Sequence, residues 1–154
     1  MKTITVPFEF SMNNCSWFDN LGIREYTIQV ELTDEESQDL SLPCVRQKLE
    51  AAVNDECKKI SYRYALIDEF EENEVMRDNE EQMMEVFAKD GLFDPDECYG
   101  GDDQSANFGI WLEEYFYGLE EEPMKEFIEK YYPYVATWLT EEKLGYSYSF
   151  STHL

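Results

Sequence analysis

The side chains able to do chemistry in this 154-residue chain are overwhelmingly carboxylates. There are 35 Asp plus Glu against 12 Lys plus Arg, for a formal net charge of −23. They are concentrated. Residues 66–103 hold 15 acids and 2 bases, net −13, whereas residues 1–65 carry −4, 104–130 carry −5 and 131–154 carry −1. The dense stretch contains Asp68, Glu69, Glu71, Glu72, Glu74, Asp78, Glu80, Glu81, Glu85, Asp94, Asp96, Glu97, Asp102 and Asp103, and Glu120, Glu121 and Glu122 extend it.

Carboxylates at such density could serve in several ways. Two of them suitably separated suffice for glycoside hydrolysis, but among 35 acids such a pair can always be found. A small acidic enzyme is therefore the rival from a different class, and the chain is read as a non-enzyme. Asp94-x-Asp96, Gly100-Gly101 and Asp102-Asp103 offer hard oxygen ligands in a loop. An EF-hand register starting at Asp94 would, however, need an oxygen ligand at Cys98, a glycine at Tyr99 and a glutamate at Ser105. All three fail, so neither a metal nor a cofactor is expected. Solubility alone is met by a net charge of about 2–8 in a small domain, more naturally scattered than clustered.

The remaining reactive residues are sparse. Cys15, Cys44, Cys57 and Cys98 form no Cys-x-x-Cys and have no histidine at ligand spacing, which argues against zinc. The first residues show no export signal, so free thiols in the cytoplasm are the expectation. His153, the only histidine, stands one residue from the C-terminus, a poor place for a positioned general base. Gly100-Gly101 is a turn and not a phosphate-binding loop.

Charge also excludes partners. A pI near 4.1 opposes direct binding of nucleic acid, whose phosphates would be repelled, and docking on anionic membranes. No run of about 20 apolar residues is present to span a bilayer. Yet the hydrophobic fraction is 43% and the aromatic fraction 16%, too much apolar material for a solvated tail.

The elements that must position the acids follow from periodicity. Ile4, Val6, Phe8 and Phe10 alternate with Thr3, Thr5, Pro7 and Glu9, a half-buried strand in which Pro7 suggests an edge or a bulge. Tyr26, Ile28, Val30 and Leu32 make a second strand, and Tyr146, Tyr148 and Phe150 a third. A long loop with Trp17 and Phe18 joins the first two, its aromatics expected to pack on the core. Thr33-Asp34-Glu35-Glu36 can cap a short helical turn. Val45, Leu49, Ala52, Val53, Cys57 and Ile60 share a helical face that starts near Pro43. Residues 60–70 are ambiguous, since Ile60, Tyr62, Tyr64 and Leu66 alternate as in a strand while Ile60, Tyr64 and Ile67 fit a helix, and they are read as the helix's continuation. Asp78 or Asn79 can cap a helix over 80–89 that Gly91 closes. A loop over 90–104 follows. Ser105 is expected to cap a helix burying Phe108, Trp111, Leu112, Tyr115, Phe116 and Leu119. Pro123 opens a last helix with Met124, Phe127, Ile128, Tyr131, Val135, Trp138 and Leu139 inward, broken at Pro133. Tyr99, Tyr117 and Tyr132 fall off the core faces. The fold expected is α+β, a small antiparallel sheet of two N-terminal strands and one C-terminal strand packed against amphipathic helices, in a single acidic domain over 1–154.

A comparison of scale gives the charge a use. Duplex DNA carries one negative charge per roughly 1.7 Å of axis, so 23 charges correspond to about 39 Å of duplex. A compact chain of this length has a radius of gyration of about 15 Å and a span of about 40 Å. In size, charge and acidic helices the chain resembles the small acidic anti-defence proteins of phages and mobile elements, the antirestriction and anti-CRISPR proteins that act as DNA mimics. The resemblance implies an inhibitor that binds a basic nucleic-acid-handling host protein and blocks a restriction or CRISPR-type nuclease by occlusion. An immunity protein that neutralises a nuclease toxin would use the same electrostatics. Exposed aromatics would permit a homodimer only if the acidic faces point apart.

Overall fold

The computed structural model describes residues 1–15 and 23–151; Trp17, Phe18 and His153, read above, lie outside the described residues. The chain divides into two compact units, Met1–Ala65 with Leu139–Leu154, and Leu66–Trp138.

The first unit is the α+β part. Strands β1 (Lys2–Met12), β2 (Arg24–Leu32) and β3 (Tyr146–Phe150) form one antiparallel sheet in the order β2-β1-β3. Pairings Val6↔Ile28 and Phe8↔Tyr26 on one side of β1, and Phe10↔Tyr148 on the other, bring the alternating apolar positions to one face. That face carries Val6, Phe8, Phe10, Met12, Val30 and Leu32 into a core completed by Val45, Leu49, Val53, Cys57, Ile60 and Tyr64. These six lie on helix α1 (Pro43–Glu72), which runs unbroken for 30 residues, so the ambiguous stretch 60–70 is helix. Pro43 opens it, where a missing N–H costs nothing. Apart from Pro7, the opposite sheet face is Thr, Ser, Glu and Gln, as the period of two dictates.

Pro7 corrects one expectation, because it lies in the central strand. Pairing with β3 begins only at Phe8, so among the described residues Pro7 has a strand on one side alone. The proline thus occupies a locally open edge within a central strand, where an absent donor is tolerated.

The link from β2 to α1 uses reciprocal capping. Thr33 Oγ1 accepts from the Glu36 amide at 3.1 Å, and Glu36 Oε1 accepts from the Thr33 amide at 2.9 Å. Two otherwise orphaned donors are satisfied by one Thr-x-x-Glu segment at the turn Glu36–Gln38.

The second unit is helical. It holds the end of α1, a short 3-10 turn Val75–Arg77, α2 (Glu80–Lys89), α3 (Gln104–Tyr117), α4 (Glu121–Tyr131) and a 3-10 segment Pro133–Trp138. Its core is aromatic. Phe87 meets Phe108, Trp111, Phe127 and Tyr131 at ring-centroid distances of 6.0, 5.3, 5.7 and 4.7 Å. Phe70 meets Phe116 at 4.9 Å and Tyr132 at 5.1 Å. Such pairs add about 0.5–1.5 kcal/mol each beyond area burial. Tyr132 is 1% exposed, against the expectation that it lies off the core; Trp138 is 40% exposed, against the expectation that it points inward. Pro133 ends the helical register before Trp138, and the 3-10 segment turns the indole outward.

Candidate anionic interface

All the carboxylates singled out in the sequence fall in the second unit. Residues 66–138 contain 22 acids and 4 bases, net −18, which leaves −5 for the rest of the chain. Twelve bases in the whole molecule cannot neutralise 35 acids, whatever pairs they form.

Placement of the individual acids is uneven. Asp68 is 2% exposed, so it is removed from any contact surface. It lies on α1 one turn before Glu72 and two residues before the buried Phe70. Glu69, Asp78, Glu80 and Glu121 are half-buried. Glu71, Glu72, Glu74, Glu81, Glu85, Asp94, Asp96, Glu97, Asp102, Asp103, Glu120 and Glu122 are exposed. The structure adds Asp90, Glu113, Glu114, Glu126 and Glu129 to the exposed acids of this unit. For α4 the signal was in the sequence: Glu122, Glu126 and Glu129 recur at helical spacing opposite Phe127 and Ile128.

Neutral donors hold several of these groups. The Tyr131 phenol donates to Asp90 Oδ2 at 2.8 Å, and the Tyr134 phenol donates to Asp78 Oδ2 at 3.2 Å. The Tyr117 phenol donates to the Glu71 carboxylate. Ser105 Oγ donates to Glu80 Oε2 at 2.8 Å. Backbone amides do the same for Asp103, which accepts from Ala106 N at 2.8 Å, and for Asp94, which accepts from Asp96 N at 2.9 Å. A phenol, hydroxyl or amide orients a carboxylate without cancelling its charge, which a lysine would do. On α4, Lys125 lies 2.8 Å from Glu122 and 3.7 Å from Glu129.

Two of the expected caps change. Asp103, not Ser105, caps α3; Ser105 sits inside the first turn and turns its hydroxyl to Glu80. Asn79 precedes α2 in a left-handed conformation, φ 52°, and makes no side-chain cap. Gly91 closes α2 as expected, with φ 77°, Leu92 N bonded to Phe87 O at 2.9 Å and Gly91 N to Ala88 O at 3.1 Å. The loop that follows is anchored by Phe93, 3% exposed and 5.1 Å from Trp111. Asn107 Oδ1 fixes its far end, accepting from Tyr99 N at 3.0 Å and Gly101 N at 2.8 Å.

Electrostatics follow the crowding. The Glu71 carboxyl is pushed up by partial desolvation and, secondarily, by the neighbouring Asp68 and Glu72 charges, against the lowering effect of the Tyr117 hydrogen bond. Tyr131 and Tyr134 are each pushed up to about 12, first by desolvation and then by the carboxylates they hold. Cys57 is buried and pushed up to about 12 by desolvation, so it is a small hydrophobe and not a nucleophile at neutral pH. Among the described residues no three His, Cys, Asp or Glu side chains converge as a metal site, and no helix is long and apolar enough to cross a membrane. No protein-family model, curated protein or solved structure matches the chain.

Proposed function

We propose that the chain is an acidic inhibitor that binds a basic, nucleic-acid-handling protein by occupying its phosphate-binding surface, as a DNA mimic directed at a defence nuclease of the restriction or CRISPR type. The observation that carries this reading is the way the carboxylates of the second unit are held. Tyrosine, serine and backbone donors orient Glu71, Asp78, Glu80, Asp90, Asp94 and Asp103 while their charge is retained. An anionic surface fixed before binding loses less side-chain entropy on contact, and it attracts a basic groove with the same counterion release as a phosphate backbone. A merely solubilising surface needs no such orientation. No covalent chemistry is required, and the acids act in place of phosphates.

The test is inhibition of DNA cleavage by a panel of purified restriction and RNA-guided nucleases, repeated at rising salt and rising duplex concentration. The expected result is inhibition that excess duplex relieves, that weakens steeply with salt, and that reversal of Glu81, Glu85, Glu120 and Glu122 to lysine abolishes while the circular dichroism spectrum is retained. Inhibition indifferent to salt and to competing duplex defeats the mimicry.

A further inference from the structure

One face of α2 is buried through Met83 and Phe87; the face at Glu81, Met84, Glu85 and Ala88 is turned to a groove of about 540 Å³. The loop at Pro95 and the first turn of α3 at Ser105 complete it. Its lining is split by chemistry: Met84, Ala88 and Pro95 are apolar, Glu80, Glu81 and Glu85 are anionic, and among the described residues no base contributes. A long cationic side chain has the same division, an apolar stem and a charged head.

We infer that this groove seats an arginine-bearing segment of the protein partner, its stem on Met84, Ala88 and Pro95 and its guanidinium at the glutamates. The inference rests on the proposed function and names the place where that partner is gripped. Charge complementarity selects the occupant: three glutamates and no cation reject an anion, and the apolar surface beside them gives a bare ion nothing to contact. A metal ion is disfavoured further because no metal-holding trio of side chains forms among the described residues. Arginine fits better than lysine, because guanidinium is the more weakly hydrated cation and its planar fork matches carboxylates in pairs. The Ser105 hydrogen bond presents Glu80 in one orientation to such a fork.

The experiment titrates the 15N-labelled full chain with nona-arginine and follows amide shifts and affinity at low and moderate salt. The expected shifts concentrate at Met84, Glu85, Ala88 and Ser105. E81Q/E85Q is expected to weaken binding about tenfold or more, while E120Q/E122Q, which removes the same formal charge outside the groove, changes it by about twofold or less. Ala88→Trp, which fills the groove at constant charge, is expected to act like E81Q/E85Q. Shifts spread over all acidic segments, with equal losses in both double variants, overturn the groove and leave the electrostatic reading standing. Absence of any salt-dependent binding of nona-arginine overturns both.

Discussion

The phenol of Tyr131, near the end of α4, donates a 2.8 Å hydrogen bond to Oδ2 of Asp90, 41 residues earlier, at the end of α2. The same ring packs 4.7 Å from Phe87 and 5.1 Å from Phe127, so one tyrosine joins the aromatic core of the second unit to its charged surface. Tyr131→Phe keeps the packing and removes the bond. We expect a loss of about 0.5–1.5 kcal/mol in urea unfolding. The folded-state value of Tyr131 lies near 12, above the ordinary 10. Its contribution is therefore complete below pH 10 and is lost as pH rises towards 12, and the variant should show a smaller stability drop across that interval.

Glu71 gives a prediction of opposite consequence near acid pH. Its carboxyl is pushed above the ordinary value, so its stabilising contribution is present in full below about pH 4.5 and declines as the group ionises. Glu71→Gln is expected to raise the urea midpoint at pH 7, and that gain should shrink as the pH falls below the ordinary glutamate value, where the wild-type side chain takes up its proton. A gain of constant size across that range would assign the effect to packing.

Asp103 and Ser105 exchange the roles that sequence reading gives them. Asp103→Ala removes the acceptor for Ala106 N and should cost about 1 kcal/mol. Ser105→Ala removes the donor to Glu80 and leaves the cap, so its effect on stability should stay within about 0.5 kcal/mol. Thermal unfolding of the two variants distinguishes them.

Gly101 is held against the first turn of α3. A Cβ there would stand 2.6 Å from Asn107 N and 2.7 Å from Ala106 C, both backbone atoms of a helix that cannot yield. Gly101→Ala should cost about 1–3 kcal/mol and release the Tyr99 and Gly101 amides from Asn107 Oδ1, visible as faster hydrogen exchange at those two positions.

Period-two and helical spacing made the sheet and the helix faces readable, because each depends on residues close in sequence. Val6, Phe8 and Phe10, or Val45, Leu49 and Val53, announce their common face without any tertiary knowledge. What sequence could not give are partnerships across long separations. Tyr134 and Asp78 lie 56 residues apart, and no pattern marks them as bonded. Tyr132 looked like a surface tyrosine because Pro133 ends the helical register beside it; its burial against Phe70 and Phe127 is a tertiary matter. Pro7 misled for a related reason, since an edge within a central strand exists only once the length of β3 is known. The clustering of the acids was legible from counting alone. Which of them face outward was not, and Asp68 is the instance that counting placed on the wrong side.

The final turns of α1 carry Asp68, Glu69, Glu71 and Glu72 and no base, at the helix terminus whose dipole favours cations. An engineer asked to make this protein sturdier would begin by installing lysines there, and the melting temperature would be expected to rise. Each such lysine would also dilute the anionic field. Ruggedness and charge density pull in opposite directions at this turn, so thermal screening by itself would select variants that have shed the property on which binding is proposed to depend.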